Sequence, residues 1–211
     1  KITATSSAVN EITFVNAATG NNPSIDASGG DTNIGIALKT KGSGVIQAED
    51  SAGTVAAVKI AGKESIWVPA VAMYPNTTAG AEANQVELSN GPEIKTLDFD
   101  KDSDENAQFA VAFPKSWNAG TVTFQAFFTA TSTNTGTVSW DLAAVALADN
   151  GDLNTAFGTA VAPTAKAHSG TSNDLDVTAE SGAVTIAGSP GDDEYVFFQI
   201  TRDVSDDDLD A

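Results

Sequence analysis

The residues that could do chemistry here are mostly acids. Asp98-Phe99-Asp100-Lys101-Asp102-Ser103-Asp104-Glu105 sets carboxylates at the D-x-D-x-D spacing of a calcium loop. Such a loop needs Gly at its sixth position and a carboxylate at its twelfth. Those positions hold Ser103 and Phe109, so an EF-hand is excluded. A looser calcium site is the alternative to our reading, a solvated acidic strand end and turn. Asp206-Asp207-Asp208-Leu209-Asp210 reads as a solvated or disordered tail, as terminal charge blocks usually are. Paired-acid hydrolysis needs two carboxylates facing across a cleft, and no pair is marked by flanking aromatics. Trp67, Trp117 and Trp140 have flat faces that could stack on sugar rings. Alternation in Val138-Ser139-Trp140-Asp141-Leu142 puts Trp140 on a core face, and core or interface packing is the reading for all three. His168, the one histidine, reads as an exposed loop residue. One His and no Cys leave little material for a Ser-His-Asp relay, a multi-His metal site or a thiolate. We expect no catalytic, cofactor-binding or metal-binding residue, no cofactor, and a protein that is not an enzyme; the binding residues are unknown.

Composition narrows the partners. The 211 residues carry 10 Lys+Arg against 28 Asp+Glu, a net charge of −18. That charge excludes phosphate-backbone contact as a main role and repels anionic headgroups, so neither nucleic acid nor membrane is expected as a partner. No run of about 18 apolar residues exists to cross a bilayer, and no leader peptide is legible. The chain begins at Lys1 without Met, so processing or a preceding segment is expected. A strongly acidic surface suits a saline medium, where repulsion is screened.

The elements that must position these residues fall into two pieces. Residues 1–63 hold five Lys and five acids and are neutral; the whole −18 lies beyond them, and Phe14 is the only aromatic before Trp67. The first piece reads as short β with tight turns. The strand candidates are Glu11–Val15, Thr32–Leu38, Val45–Ala48 and Thr54–Ile60, separated by turns at 19–23, 28–31, 41–44 and 50–53. At about 25 cal/mol per Å² its few large side chains barely offset the ordering entropy of a lone segment. Such a segment needs neighbours, either copies of itself about a common axis or the second piece.

Residues 64–211 read as an antiparallel β-sandwich. Strand candidates are Ile94–Phe99, Gln108–Phe113, Thr121–Ala130, Thr137–Ala148, Leu175–Thr178, Ala183–Ala187 and Tyr195–Thr201. Asp100–Asn106 could form a single helical turn. Residues 149–174, rich in Ala, Thr, Asn and Gly, read as a long irregular excursion, where contacts are often made. Its Asn150, Asn154, Thr155, Thr159, His168 and Thr171 could hydrogen-bond sugar hydroxyls without desolvating a carboxylate.

At Ile66-Trp67-Val68-Pro69-Ala70-Val71-Ala72-Met73 the chain resembles a family of tailed-bacteriophage virion proteins, many of them marine. The resemblance continues through Thr77-Thr78, Asp98-Phe99-Asp100, Ala107-Gln108-Phe109 and Pro114–Thr123. Further matches are Val145–Asp149, Thr155-Ala156-Phe157-Gly158 and Phe198–Asp203. It covers about residues 64–203; members of that family run on beyond the Arg202-Asp203 region into a final strand, an edge strand expected to be absent from a chain that stops at Ala211. Asn10–Phe14, Gly30–Ile36 and Lys41-Gly42-Ser43-Gly44 are similar to fibre-shaft repeats of phage appendages, which implies a trimeric β shaft, with Gly where a crowded axis leaves no room for Cβ. Together these imply an all-β chain, a short trimeric β shaft over 1–63 followed by a jelly-roll-like sandwich head over 64–211. The implied function is a virion fibre or spike that is homotrimeric, contacts other virion proteins and attaches to the host surface through a glycan. The alternative is a purely structural head-fibre, decoration or neck protein; a depolymerase spike is the third class.

Overall fold

A computed structural model describes residues 6–49, 52–53, 63–191 and 194–211. The chain divides into two compact units, Lys1–Ala56 and Ala57–Ala211. Regular structure among the described residues is nearly all β, with two short 3-10 turns at Ala70–Ala72 and Val204–Asp206.

In the first unit β1 (Asn10–Val15) and β2 (Ser24–Gly29) form an antiparallel hairpin, with Asn10 opposite Gly29 and Val15 opposite Ser24. Alternation identified β1; β2 carries only Ile25 as a large apolar residue and gives no such signal. The strands expected over Thr32–Leu38 and Val45–Ala48 are not formed. Among the described residues they have no ladder partner, and their Ile36, Leu38, Val45 and Ile46 side chains face solvent. The strand expected over Thr54–Ile60 lies outside the described residues.

The second unit is built on β3 (Tyr74–Pro75), β4 (Glu82–Glu87), β5 (Glu93–Asp98), β6 (Glu105–Ala112), β7 (Phe127–Phe128), β8 (Thr137–Val138), β9 (Trp140–Leu147), β10 (Lys166–Ala167), β11 (Asp176–Val177) and β12 (Tyr195–Arg202). Its centre is an antiparallel sheet ordered β3-β6-β12-β9. Leu142, Ala144 and Ala146 of β9 and Val196 and Phe198 of β12 share one face and pack on Val184 and Ile186, with Phe109, Val122 and Phe124 around them. A second cluster joins Ala126, Val138, Trp140 and Leu209, and Phe124 and Ile200 touch both. The layer over the sheet consists of short pairs, β7 with β11 and β8 with β10, and an isolated bridge from Val122 to Val184.

Four expectations change here, the first at Ala183–Ala187, which forms no strand and keeps only single bridges at Val184 and Ala187. The ten-residue strand over 121–130 shrinks to the Val122 bridge and β7 because hydroxyls replace carbonyls in its ladder. Phe124 N donates to Ser181 Oγ at 3.0 Å and Ala126 N to Thr178 Oγ1 at 3.0 Å. Asp100–Asn106 is not helical: Asp100 Oδ1 accepts from Asp102 N at 2.6 Å, an Asx-type turn that feeds directly into β6. The β4–β5 hairpin was half missed, since β4 (Glu-Ala-Asn-Gln-Val-Glu) has no apolar face and is almost wholly exposed.

The acidic run at 206–210 is no loose tail. Buried Arg202 donates from Nε to Asp207 Oδ2 at 2.7 Å and from a terminal nitrogen to Asp207 Oδ1 at 3.1 Å. Its other N–H groups reach the carbonyls of Phe99 at 3.3 Å, Leu209 at 2.8 Å and Ala211 at 2.9 Å. Leu209 enters the second core cluster. Asp208 accepts from Thr137 Oγ1 at 2.8 Å, and Asp210 pairs with Lys101 at 2.8 Å. Gly136 is required where this segment crosses: a Cβ there would sit 2.3 Å from the Asp208 carbonyl oxygen. Removing one partner of a buried ion pair strands the other charge, so Arg202→Met should lower unfolding free energy by about 3–5 kcal/mol. Urea denaturation measures this, and adding Asp207→Leu to Arg202→Met should restore part of the loss.

Candidate functional site

His168 is buried, not an exposed loop residue. Its Nδ1 lies 2.6 Å from Asp176 Oδ2, its Nε2 lies 3.2 Å from the Ser132 carbonyl, and its backbone N donates to Gly136 O at 2.9 Å. Both ring nitrogens are therefore engaged in tying three segments together, and neither faces a ligand. The sequence signal was the spacing to Asp176 across a turn, and a lone histidine gives no way to choose it. Burial pushes the Asp176 carboxyl up, but hydrogen bonds from His168, the Ser169 N–H and Lys166 outweigh this and hold it below the usual carboxylate range.

The acids do not converge on a cation. Among the described residues, no group of three or more His, Asp or Glu side chains is arranged to hold a metal. Asp104 accepts from Val204 N at 3.0 Å and Asp203 caps the turn at Ser205. Asp141, on β9, is the strained acid. Burial, then the charges of Asp203, Asp206 and Asp104, push its carboxyl above the usual range.

The three tryptophans divide. Trp140 is buried, edge-on to Phe99 at 4.9 Å. Trp117 stacks on Phe113 at 4.1 Å. Trp67 is 65% exposed and meets Phe127 edge-on at 4.9 Å. The 149–174 excursion divides as well. Gly158 N bonds Ala144 O at 3.0 Å, Val161 bridges Leu142, and Lys166–Ala167 is β10, so residues 158–168 form part of the wall beside β9. Asn150, Asn154, Thr155, Thr159 and Thr171 are exposed, and His168 is withdrawn from that set.

The arrangement that sequence reasoning missed lies on the other face of the central sheet. Tyr74, Gln108 and Gln199 stand opposite one another across β3, β6 and β12. Asn76 Nδ2 and Gln108 Nε2 both donate to Gln199 Oε1, each at 3.0 Å. Asn76 Oδ1 is buried without a hydrogen-bond partner. Tyr74, Pro75, Asn76, Thr77, Thr78 and Gln108 line an open hollow here. Amides on alternate positions of separate strands have no local motif, so only the register joins them.

Two titrations follow. The depressed Asp176 carboxyl contributes stability above its ordinary value near 3.8, which is lost as pH falls through its lower folded value. Asp176→Asn should flatten that acid limb in urea midpoints measured across acidic pH. Asp141 has the opposite sign. Its penalty is absent below 3.8 and grows as pH rises through the raised folded value. Asp141→Asn should therefore raise Tm at neutral pH and not in acid, with a smaller gain in high salt.

Comparison with known proteins finds no matching family model, no matching curated protein and no matching solved structure.

Proposed function

We propose that this chain is a fibre or spike protein of a tailed-bacteriophage particle. Its first unit is a shaft segment that trimerises with copies of itself, and its second is a jelly-roll-like head that attaches to the host surface. One observation carries the reading. The first unit leaves its apolar side chains uncovered: Phe14 is 74% exposed, Val45 70% and Leu38 67%, with Val9, Ile12, Ile25 and Ile46 also more than half exposed. A segment this short cannot stand on so little internal burial. Copies of the same segment fit as the cover, because residues 1–63 are neutral and approach without repulsion, while the −18 is confined to the rest. Segments such as Thr32–Leu38, which alternate yet lack a ladder in one chain, gain partners in the same step. The resemblance of residues 64–203 to phage virion proteins supplies the particle, and the exposed Asn150, Asn154 and Thr155 supply polar contacts at a loop.

Light scattering coupled to gel filtration tests the assembly. The intact chain should elute as three 21.5-kDa copies, and Phe14→Asp with Val45→Asp should shift it to a lighter species. A monodisperse monomer of the intact chain at micromolar concentration overturns the shaft reading. Attachment is tested by competition: excess purified protein should slow adsorption of the phage to its host, and unchanged adsorption favours a structural role.

A further inference from the structure

We infer that the hollow beside β3, β6 and β12 is a subsite for one ring of an uncharged glycan; this deepens the attachment reading above and rests on it for its biological role. The lining is chemically uniform. Gln108 and Asn76 offer amides, both donating to Gln199, Thr77 and Thr78 offer exposed hydroxyls, and Tyr74 offers a half-exposed ring at the rim. No carboxylate, ammonium or guanidinium lines it. Amide pairs match the vicinal hydroxyls of a sugar, each presenting donor and acceptor together, and an aromatic face covers the sugar's C–H surface. A polyanion would meet a chain of net charge −18 with no cation in the hollow to receive it.

The site is held in shape before any ligand arrives. Gln199 Oε1 takes two amide donors, which fixes the Gln199 side chain and points its own NH2 away from them. Among the described residues, the Gln199 amide nitrogen and the Gln108 carbonyl oxygen then keep no protein partner. The Thr77-Thr78 loop is also pinned. Asn106 receives Asn76 N at 3.2 Å and Ala81 N at 3.3 Å on its carbonyl, and donates its own N to Ala79 O at 2.8 Å. Its side chain adds a bond to Ala79 O at 3.2 Å. Gly80 closes the loop where a Cβ would sit 2.0 Å from the Asn76 carbonyl oxygen. Rigid polar groups lose little freedom on binding, so even a small contact yields usable affinity.

Saturation-transfer NMR on the intact chain tests this with neutral trisaccharides of glucose, mannose, galactose and N-acetylglucosamine, and with polygalacturonate as the anionic arm. At least one neutral trisaccharide should show saturable transfer, polygalacturonate none. Gln199→Ala, which releases the Asn76 and Gln108 amides that it holds, should weaken binding by about tenfold, the equivalent of roughly one good polar contact. The rim variants Thr77→Ala with Thr78→Ala, which touch no core residue, should weaken it measurably at unchanged Tm, and Tyr74→Phe should retain it. Absence of transfer from every neutral sugar at tens of millimolar overturns the subsite, as does binding that Gln199→Ala and the rim variants leave unchanged. Host-cell adsorption separates the two readings. Adsorption that Gln199→Ala leaves intact keeps attachment and removes the subsite, whereas sugar binding without adsorption keeps the subsite and removes attachment.

Discussion

The second unit depends on one buried guanidinium. Arg202 has five N–H donors, and they meet Asp207, where Nε and one terminal N–H make a bidentate pair, and the carbonyls of Phe99, Leu209 and Ala211. A buried charge is tolerated only under such complete satisfaction. The consequence is geometric. Arg202 ends β12, the strand paired on both sides in the central sheet, so whatever it holds is registered to that sheet. It holds residues 207–211, and through them Leu209, which closes the cluster around Trp140 and Ala126. An acidic stretch that would otherwise solvate its charges becomes part of the wall. Asp208 reaches Thr137 and Asp210 reaches Lys101, but those groups are exposed and contribute little by themselves.

That dependence explains which parts of the fold were legible. The strands β6, β9 and β12 are long, apolar and rich in Val, Ala and Phe, and the reading placed each within a few residues. Their signal is burial, which sequence carries in residue type. The Asp206–Asp210 run was misjudged because its fold-determining partner, Arg202, acts through position and not composition. His168 failed for the same reason: Lys-Ala-His-Ser-Gly looks like a loop, and only the juxtaposition of Ser132, Gly136 and Asp176 buries it. The 121–130 strand was recognised as extended but its ladder was not, because Ser181 and Thr178 hydroxyls stand in for backbone acceptors. Polar elements such as β4, and β3 with its two residues, carry no periodic signal at all.

The two units solve the burial problem in opposite ways. The second gathers fourteen aromatics and nearly all the large buried side chains, and it tolerates a heavy negative charge because its core is closed. The first, Lys1–Ala56, has one aromatic, leaves it exposed, and carries three Lys against five acids, a net charge of only −2. Large apolar side chains left on solvent mark a surface for a partner, and a charge this small lets copies of the same segment approach, as the proposed shaft requires. The division of charge and of apolar surface thus points the same way, although each was read from a different property of the sequence.

The central sheet makes a similar economy on its outer face. Inward positions of β12 are Val196, Phe198 and Arg202, each committed to a core; outward positions are Phe197, Gln199 and Thr201, opposite Ala110, Gln108 and Asn106 on β6. Thr201 Oγ1 donates to Asn106 Oδ1 at 2.6 Å, so this row is cross-linked as the Gln199 row is. A solvent face needs no such network, since water satisfies amides at equal strength. Networks of fixed amides serve where the geometry of the polar groups matters, and here they lie beside a pinned threonine loop and a half-exposed tyrosine. Asp141 continues the Thr201 row onto β9, where burial, and then the nearby charges of Asp203, Asp206 and Asp104, raise its pKa. The face therefore grades from neutral amides at Tyr74 to carboxylates at Asp141, and only its neutral end offers a surface that a polar, uncharged partner meets without displacing a charge.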